Sequence, residues 1–364
     1  MSDTLIIAAS LYFAILLFLL IGLFRIRNRK SNHQPRISIV VAARDEEDNI
    51  EECLNALVAQ TYPQALTQLI VVDDRSTDRT PEIIKRFRAQ NKNISAISIA
   101  ETPCGISPKK FALTKAISHA TGDLIFATDA DCMPGSQWIS ETVPLFQPEV
   151  GLVIGPAPFT QPKSLLGKLL CLDNFAVAFV SAGACGWGIG VTCTGRNLAY
   201  RRQVFNQING FREGERSLSG DDDLFLQSVK RKTRWRIAYS LHPETAVVSR
   251  PANDLASYIT QRRRHVSASK HYSKPIQASY LLFNLANLVL FGSLLASVYF
   301  QELVELVIVI FIAKLLLDLV CLYAIAKKFD KRRMLFYFPA WEIFFLLNQM
   351  IISPLGFVGK IRWK

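Results

Sequence analysis

No pair among the seven cysteines of this 364-residue chain has the close C-x-x-C spacing of zinc or redox sites, and the count is odd. A disulfide framework and a structural zinc module are therefore set aside, and the thiols read as reduced and mostly buried. No G-x-G-x-x-G follows the first expected strand, and no G-x-x-x-x-G-K-[ST] occurs, which removes the fingerprints of a dinucleotide-dependent dehydrogenase and a P-loop ATPase. Helix-turn-helix, zinc-finger and RNA-binding signatures are missing too, so nucleic acid is not an expected partner. Acid is scarce: 30 Asp and Glu stand against 42 Lys and Arg, a net charge of +12. Half of the residues are hydrophobic, which excludes a disordered chain and a collagen-like fibre.

The apolar residues are unevenly spread. Thr4–Phe24 is uncharged and as a helix would be roughly 31 Å long, enough for a bilayer core. Arg25, Arg27, Arg29 and Lys30 follow it, placing the next segment on the cytosolic side by the positive-inside tendency. Three further runs lie near the C-terminus: 278–300, 303–326 and 335–358. The second holds Lys314 and Asp318, four apart on one helix face and able to pair. Lys327, Lys328, Lys331, Arg332 and Arg333 then return the chain to the cytosol. The third run is interrupted by Pro339, Glu342 and Pro354, and the basic tail Lys360, Arg362 and Lys364 favours a re-entrant or interfacial segment over a span. The expected division is an anchor at 1–30, a cytosolic domain at 35–272 and a membrane region at 277–364, in an integral protein of the cytoplasmic membrane. Basic residues beside these runs fit contact with membrane lipids.

Between the anchors, strands and helices alternate. Ile37–Ala43, Leu69–Asp74, Ser95–Ala100 and Leu124–Thr128 read as buried strands; Asp48–Gln60, a helix opened by Thr80-Pro81, and Lys109–Ala120 read as helices. This order predicts a parallel, helix-covered α/β sheet, whose ligands bind beyond the strand carboxyl ends. Asp73 and Asp74 end one strand there, and Asp129 and Asp131 follow another. An acid–small–acid unit at such an edge suits Mg²⁺ or Mn²⁺ shared with substrate phosphates. Gly220-Asp221-Asp222-Asp223 opens an apolar-faced helix, as either helix-dipole acids or a general base with a raised pKa. Gln261-Arg262-Arg263-Arg264-His265 is a juxtamembrane basic patch or a guanidinium clamp. Leu169–Cys193 is apolar but carries Asp173, Asn174 and several glycines, and is expected to floor a binding site rather than cross a membrane.

Taken together, these pieces over about residues 36–270 resemble the membrane-bound, inverting family 2 glycosyltransferases of the GT-A fold. Ile39–Glu47 resembles the opening strand and acidic loop, Val71–Asp78 the D-D-x-S-x-D segment, Asp129 and Asp131 the D-x-D, and Thr194–Arg202 the G-x-N-x-A-x-R segment. Asp221 falls at the base aspartate, with Gly220 where the family has glutamate and Asp222 as a rival; Gln261, Arg264 and His265 resemble Q-x-x-R-W, with His265 replacing tryptophan. The resemblance implies a Rossmann-like nucleotide-diphospho-sugar transferase domain flanked by transmembrane helices. It implies Asp221 or Asp222 as catalytic base, and Ala42, Arg44, Glu46, Asp73, Lys109 (with Lys110 close beside it), Asp129 and Arg264 at the donor. Asn197, Arg202, Gln261 and His265 would meet the acceptor, and Asp131 with Asp129 would hold Mg²⁺ or Mn²⁺. The implied reaction moves a sugar, with UDP as the expected nucleotide, to a hydroxyl of a lipid-linked or membrane-proximal glycan. A polyprenyl-phosphate glycosyltransferase is the enzymatic alternative, and a membrane scaffold that keeps the fold without turnover is the other. No F-x-V-T-x-K segment follows, so processive extrusion is not expected.

Overall fold

In the computed structural model, residues 2–27, 31–212, 217, 219–299, 301 and 303–358 are described; Arg29, Lys30, Lys360, Arg362 and Lys364 lie outside them. The strands are β1 (Ile37–Ala43), β2 (Thr67–Asp74), β3 (Ile94–Ile99), β4 (Leu124–Asp129), β5 (Cys132–Pro134), β6 (Val150–Ile154), β7 (Leu198–Arg201), β8 (Arg236–Tyr239) and β9 (Val247–Ser249). Seven form one sheet in the order β3-β2-β1-β4-β7-β6-β8, while β5 and β9 make a separate pair. The neighbours β3, β2, β1 and β4 are parallel, as expected. The expectation of a wholly parallel sheet is corrected by β7, which runs antiparallel to both β4 and β6. This reversal brings the segment before Leu198, and not the one after Arg201, to the edge where Asp129 ends β4, because Ala127 faces Leu198 and Leu124 faces Arg201.

Helices cover both faces. α1 spans Ser2–Arg25, α2 Ile50–Val58, α3 Thr80–Gln90, α4 Pro108–Ser118, α5 Trp138–Thr142 and α6 Leu165–Gly186; α7 (Arg202–Gln207), α8 (Asp223–Lys232), α9 (Leu255–Ala268), α10 (Lys274–Ser297), α11 (Val304–Ala326) and α12 (Phe338–Leu347) follow. The alternation within β1 sorts the core: Ile37, Ile39 and Val41 pack with α2, α3 and α5, whereas Val40 packs with α4, α6 and α8. A strand buried on both faces needs a continuous apolar run, which is why ISIVVAA does not alternate with polar residues. The start of α3 differs from expectation in its chemistry: Asp78 accepts the Thr80 N–H at 3.0 Å, and the Thr80 hydroxyl instead accepts the Glu46 N–H at 2.9 Å.

Among the described residues, five helical segments are long and apolar enough to cross a membrane: Ser2–Arg25, Leu165–Gly186, Lys274–Ser297, Val304–Ala326 and Arg332–Phe357. The second covers most of Leu169–Cys193, the stretch expected to floor a binding site rather than cross a membrane. It is one helix, α6, with its outer side against α1 and its inner side in the core under the sheet. The two helices touch at glycines: a Cβ on Gly22 would lie 2.0 Å from the Gly183 carbonyl oxygen, and one on Gly186 would lie 1.7 Å from that of Gly22. Such backbone contact holds apolar helices together where lipid gives no hydrophobic drive. At this end Trp187 donates its indole N–H to the Phe18 carbonyl at 2.8 Å, and the Arg25 guanidinium lies 4.2 Å above its ring. Deeper in the bundle, the expected Lys314–Asp318 pair is present at 2.9 Å. It recruits two residues the sequence reading kept apart, Glu342, paired to the Lys314 ammonium, and Tyr12, whose hydroxyl donates to Asp318 at 2.8 Å.

Candidate active site

The carboxyl edge of β2, β1 and β4 assembles the acids. Ala43 is paired with Asp73 and Ala42 with Asp129, so the two aspartates stand at similar heights on either side of β1, roughly 10 Å apart at two strand spacings. The loops above β1 and β2 interlock. The Asp45 N–H donates to the Ser76 hydroxyl at 3.0 Å, Asp45 accepts the Thr77 N–H at 2.8 Å, and Glu47 accepts the Arg79 N–H at 3.1 Å. Asp45 sits at φ +51° and Arg75 at φ +59°, and aspartate tolerates this left-handed region better than most residues. Ala42, Arg44 and Glu46 ride on this frame beside Asp73. Burial raises the Asp73 pKa, against the lowering pull of its bond from Ser76.

The cavity itself lies between β4 and the turn before α8. Its lining includes Lys109, Thr128, Asp129, Gly195, Tyr200 and Asp221. The first turn of α4 aims Lys109 into it, where the ammonium lies 2.8 Å from both the Asp129 and the Asp221 carboxylates. Burial works against the ammonium, but these two carboxylates outweigh it and raise the pKa of Lys109. For Asp221, burial pushes upward, yet Lys109 and then Lys110 hold the carboxyl below its usual range. Lys110 plays a separate part. Buried, it donates to the carbonyls of Ser217 at 2.9 Å and Ser219 at 2.8 Å, tying down the approach to Asp221. The left-handed backbone of Gly220, φ +85°, accounts for the missing glutamate, because side-chain-bearing residues avoid that conformation.

The three consecutive acids divide their work. Asp222 caps α8: its carboxylate accepts the N–H of Asp223 at 2.7 Å and of Gly195 at 2.8 Å. Asp223 accepts from the Thr192 hydroxyl at 2.9 Å, the Cys193 N–H at 2.7 Å and the Tyr272 hydroxyl. Asp221 is the one that lines the cavity. Desolvation, then the charges of Asp223 and Asp221, push the Asp222 pKa up to about 7. A carboxyl raised on folding binds more protons folded than unfolded, so its stabilising contribution is full below about pH 4 and is lost as pH rises through about 7. Melting temperatures of the wild type should therefore fall relative to an Asp222→Asn variant across that window and run parallel above it; a gap constant from pH 4 to 8 would contradict this.

Asp131 is exposed, and ligand atoms of Asp129, Asp131 and Cys132 lie within 4.8 Å of one another. Burial raises the Cys132 pKa well above normal, and its thiol donates to Asp131 at 3.4 Å, so it stays protonated. The two remaining oxygen donors fit a hard divalent cation, with Asp131 the more open ligand because Asp129 already meets Lys109.

Two expected acceptor residues are corrected. Asn197 is 2% exposed, donates to the carbonyls of Pro156 at 2.7 Å and Thr245 at 2.8 Å, and accepts from the Trp138 indole at 2.9 Å. It pins loops together and has no donor left for a substrate. Arg202 bonds the Ala120 carbonyl at 3.0 Å, at the amino end of β4 and thus the far edge of the sheet from Asp129. The neighbour Arg196 occupies the site side instead, its guanidinium stacked 4.7 Å from Phe159 and bonded to Thr194 and Ser249. From α9, Gln261 is exposed and Arg264 half-buried. His265 is exposed on α9. Crowding by the surrounding protein, then the charges of Arg264, Arg262 and Arg196, push its pKa down to about 3, so the imidazole is neutral.

A mostly parallel α/β sheet with an acid–x–acid turn at its carboxyl edge, interrupted by one reversed strand, is the arrangement of the GT-A fold. The family model for glycosyltransferase-like family 2 proteins matches residues 35–268, and the chain belongs to that family. It is 28% identical over 197 residues to a probable glycosyltransferase, YdaM, of Bacillus subtilis, covering 53% of this chain and 46% of that protein. It is 32% identical over 215 residues to a beta-monoglucosyldiacylglycerol synthase of Nostoc sp. (strain PCC 7120), covering 57% and 44%. The chain thus spans under half the length of these curated relatives. Among solved structures, a mannosyltransferase from Pyrobaculum calidifontis, PcManGT, in complex with GDP-Man and Mn²⁺ has the same fold. Its TM-score is 0.58 at 20% identity, covering 93% of this chain and 98% of that one.

Proposed function

We propose that the chain is an inverting glycosyltransferase that moves a sugar from a nucleotide-diphosphate sugar, a UDP-sugar in the first instance, to a hydroxyl of a lipid-linked or membrane-proximal acceptor. The observation that carries this reading is the Lys109 ammonium held 2.8 Å from both Asp129 and Asp221 in one cavity. It joins the donor edge of the sheet to the base position. Asp73, with the Ala42, Arg44 and Glu46 loop, would receive the nucleoside. Lys109 would draw the diphosphate toward the edge, and the Arg264 guanidinium would stabilise charge on it as it leaves. Asp221 would take the proton of the acceptor hydroxyl. That oxygen then bonds to the anomeric carbon from the face opposite the nucleotide, and the carbon–oxygen bond to the diphosphate breaks with its electrons going to the diphosphate. One such displacement inverts the anomeric centre. Asp131 and Asp129 would hold Mg²⁺ or Mn²⁺, whose chemistry is charge neutralisation on the diphosphate.

The relatives named for a glucosyldiacylglycerol product, together with apolar helices on both flanks of the domain, support a lipid acceptor. The basic residues after α1 and α11 support a domain facing the cytosol from the cytoplasmic membrane. The last segment touches that domain at both ends, which supports a re-entrant course: Lys168 of α6 bonds the Tyr337 hydroxyl at 2.8 Å, and Arg263 of α9 bonds the Leu355 carbonyl at 3.2 Å. The test is a donor screen on purified full-length protein. Nucleoside diphosphate should be released from one of UDP-glucose, UDP-N-acetylglucosamine and GDP-mannose, stop with EDTA and return with Mn²⁺. Retained anomeric configuration in the product, or release indifferent to EDTA, would defeat the mechanism.

A further inference from the structure

Helices α6, α9 and α10 gather polar groups that the donor chemistry leaves unused. Asp173 of α6 is 7% exposed, and among the described residues its one ionic partner is Arg262 of α9 at 3.6 Å, longer than a hydrogen bond. The Nε of Arg262 and the hydroxyl of Tyr258, one turn earlier on α9, are buried without hydrogen-bond partners. Tyr258 is only 5% exposed, and the charges of Asp173 and Arg262 both act on its hydroxyl. Tyr272 and Tyr280, whose ring centroids lie 6.4 Å apart, are near enough for their hydroxyls to act on the charge of Arg262. Asp173, Arg262 and Tyr258 do not line the catalytic cavity, and the cluster connects toward Arg196 through the neighbouring Asn174. Asn174, in the amide orientation that satisfies it, accepts from Arg196 at 3.0 Å, and the charges of Arg264, Arg262 and Arg196 act on His265 of α9.

Two unmet donors beside an under-coordinated carboxylate, with aromatic faces close by, complement a group whose oxygens both give and accept hydrogen bonds. Vicinal hydroxyls do this. A phosphate offers acceptors alone, and it would set its charge against Asp173 with no donor to meet that carboxylate. We propose that Asp173, Arg262 and Tyr258 form the subsite for the acceptor's head, and that this head is a neutral polyhydroxyl group, a sugar ring or a glycerol, rather than a phosphate. The inference rests on the transferase reading and narrows its acceptor.

The test uses the purified full-length chain with whichever sugar nucleotide it consumes. Octyl β-glucoside, dioctanoylglycerol and farnesyl phosphate are offered as acceptors. One of the two neutral acceptors should be used at least about tenfold faster than farnesyl phosphate, and which one identifies the head as sugar or glycerol. Asp173→Asn should raise the ratio of acceptor KM to donor KM about tenfold. Tyr258→Phe removes only a hydroxyl that has no protein partner, and should raise that ratio about threefold. The ratio is independent of the folded fraction, so partial misfolding does not mask it. Preference for farnesyl phosphate, or a ratio unmoved in both variants, overturns the subsite and leaves the transferase intact. Failure to consume any donor overturns the transferase reading first, and the subsite with it.

Discussion

Asp221→Asn should cut transfer about a thousandfold while the melting temperature stays near that of the wild type. The amide keeps the size of the side chain and its bond from Lys109, so the cavity stays formed, but it cannot take a proton from the acceptor. Asp222→Asn gives the contrast. Asp222 accepts two backbone N–H groups, and asparagine has one oxygen, so one N–H is left unmet at a cost of about 1–3 kcal/mol. That variant should lose stability more than rate. Measured together, kcat and melting temperature assign the roles. A larger kcat loss in the Asp222 variant at normal stability would make Asp222 the base, in keeping with its pKa of about 7, and would leave Asp221 as the partner of Lys109.

Lys314→Met should be the most destabilising single change among the long apolar helices, by about 3–5 kcal/mol, because it strands Asp318 and Glu342 in an apolar bundle without their cation. Lys314 is fully buried and lies 4.8 Å from the Phe291 ring, so no water replaces the lost charge. The triple variant Lys314→Met, Asp318→Asn, Glu342→Gln keeps the volumes and removes every charge. It should recover most of the loss, since well-matched neutral groups often equal a buried ion set. Thermal unfolding in detergent reads both. A normal melting temperature for the single variant would show that the cluster does not hold α1, α11 and α12 together.

The first strands were legible: β1, β2 and β4 carry the unbroken apolar runs of buried strands, and these three, with the half-buried edge strand β3, fall within a residue or two of expectation. The reversed β7 was not, since four residues carry no directional signal and their orientation is fixed by pairing with both β4 and β6. That one reversal decided Arg202, which sequence alone put on the wrong edge. Asn197 was misjudged for another reason: a buried asparagine satisfied by two distant carbonyls looks, in one dimension, like any polar residue in a motif. Lys109 and Lys110 are adjacent in sequence, and only helix geometry separates the one facing the acids from the one bracing a loop. Asp173 carried a signal, a lone acid in an apolar stretch, but nothing in the sequence pointed to Arg262 as its counterpart.

The glycine contact between α1 and α6 has a practical consequence. Anchored enzymes are commonly trimmed of their first helix to obtain a water-soluble fragment. Here the carbonyls and flat surfaces of Gly22, Gly183 and Gly186 fit against one another, and α6 carries Asp173 on the same rod. Removing the first 25 residues would therefore uncover the apolar side of α6, so α1 is a packed part of this fold and not a detachable tether.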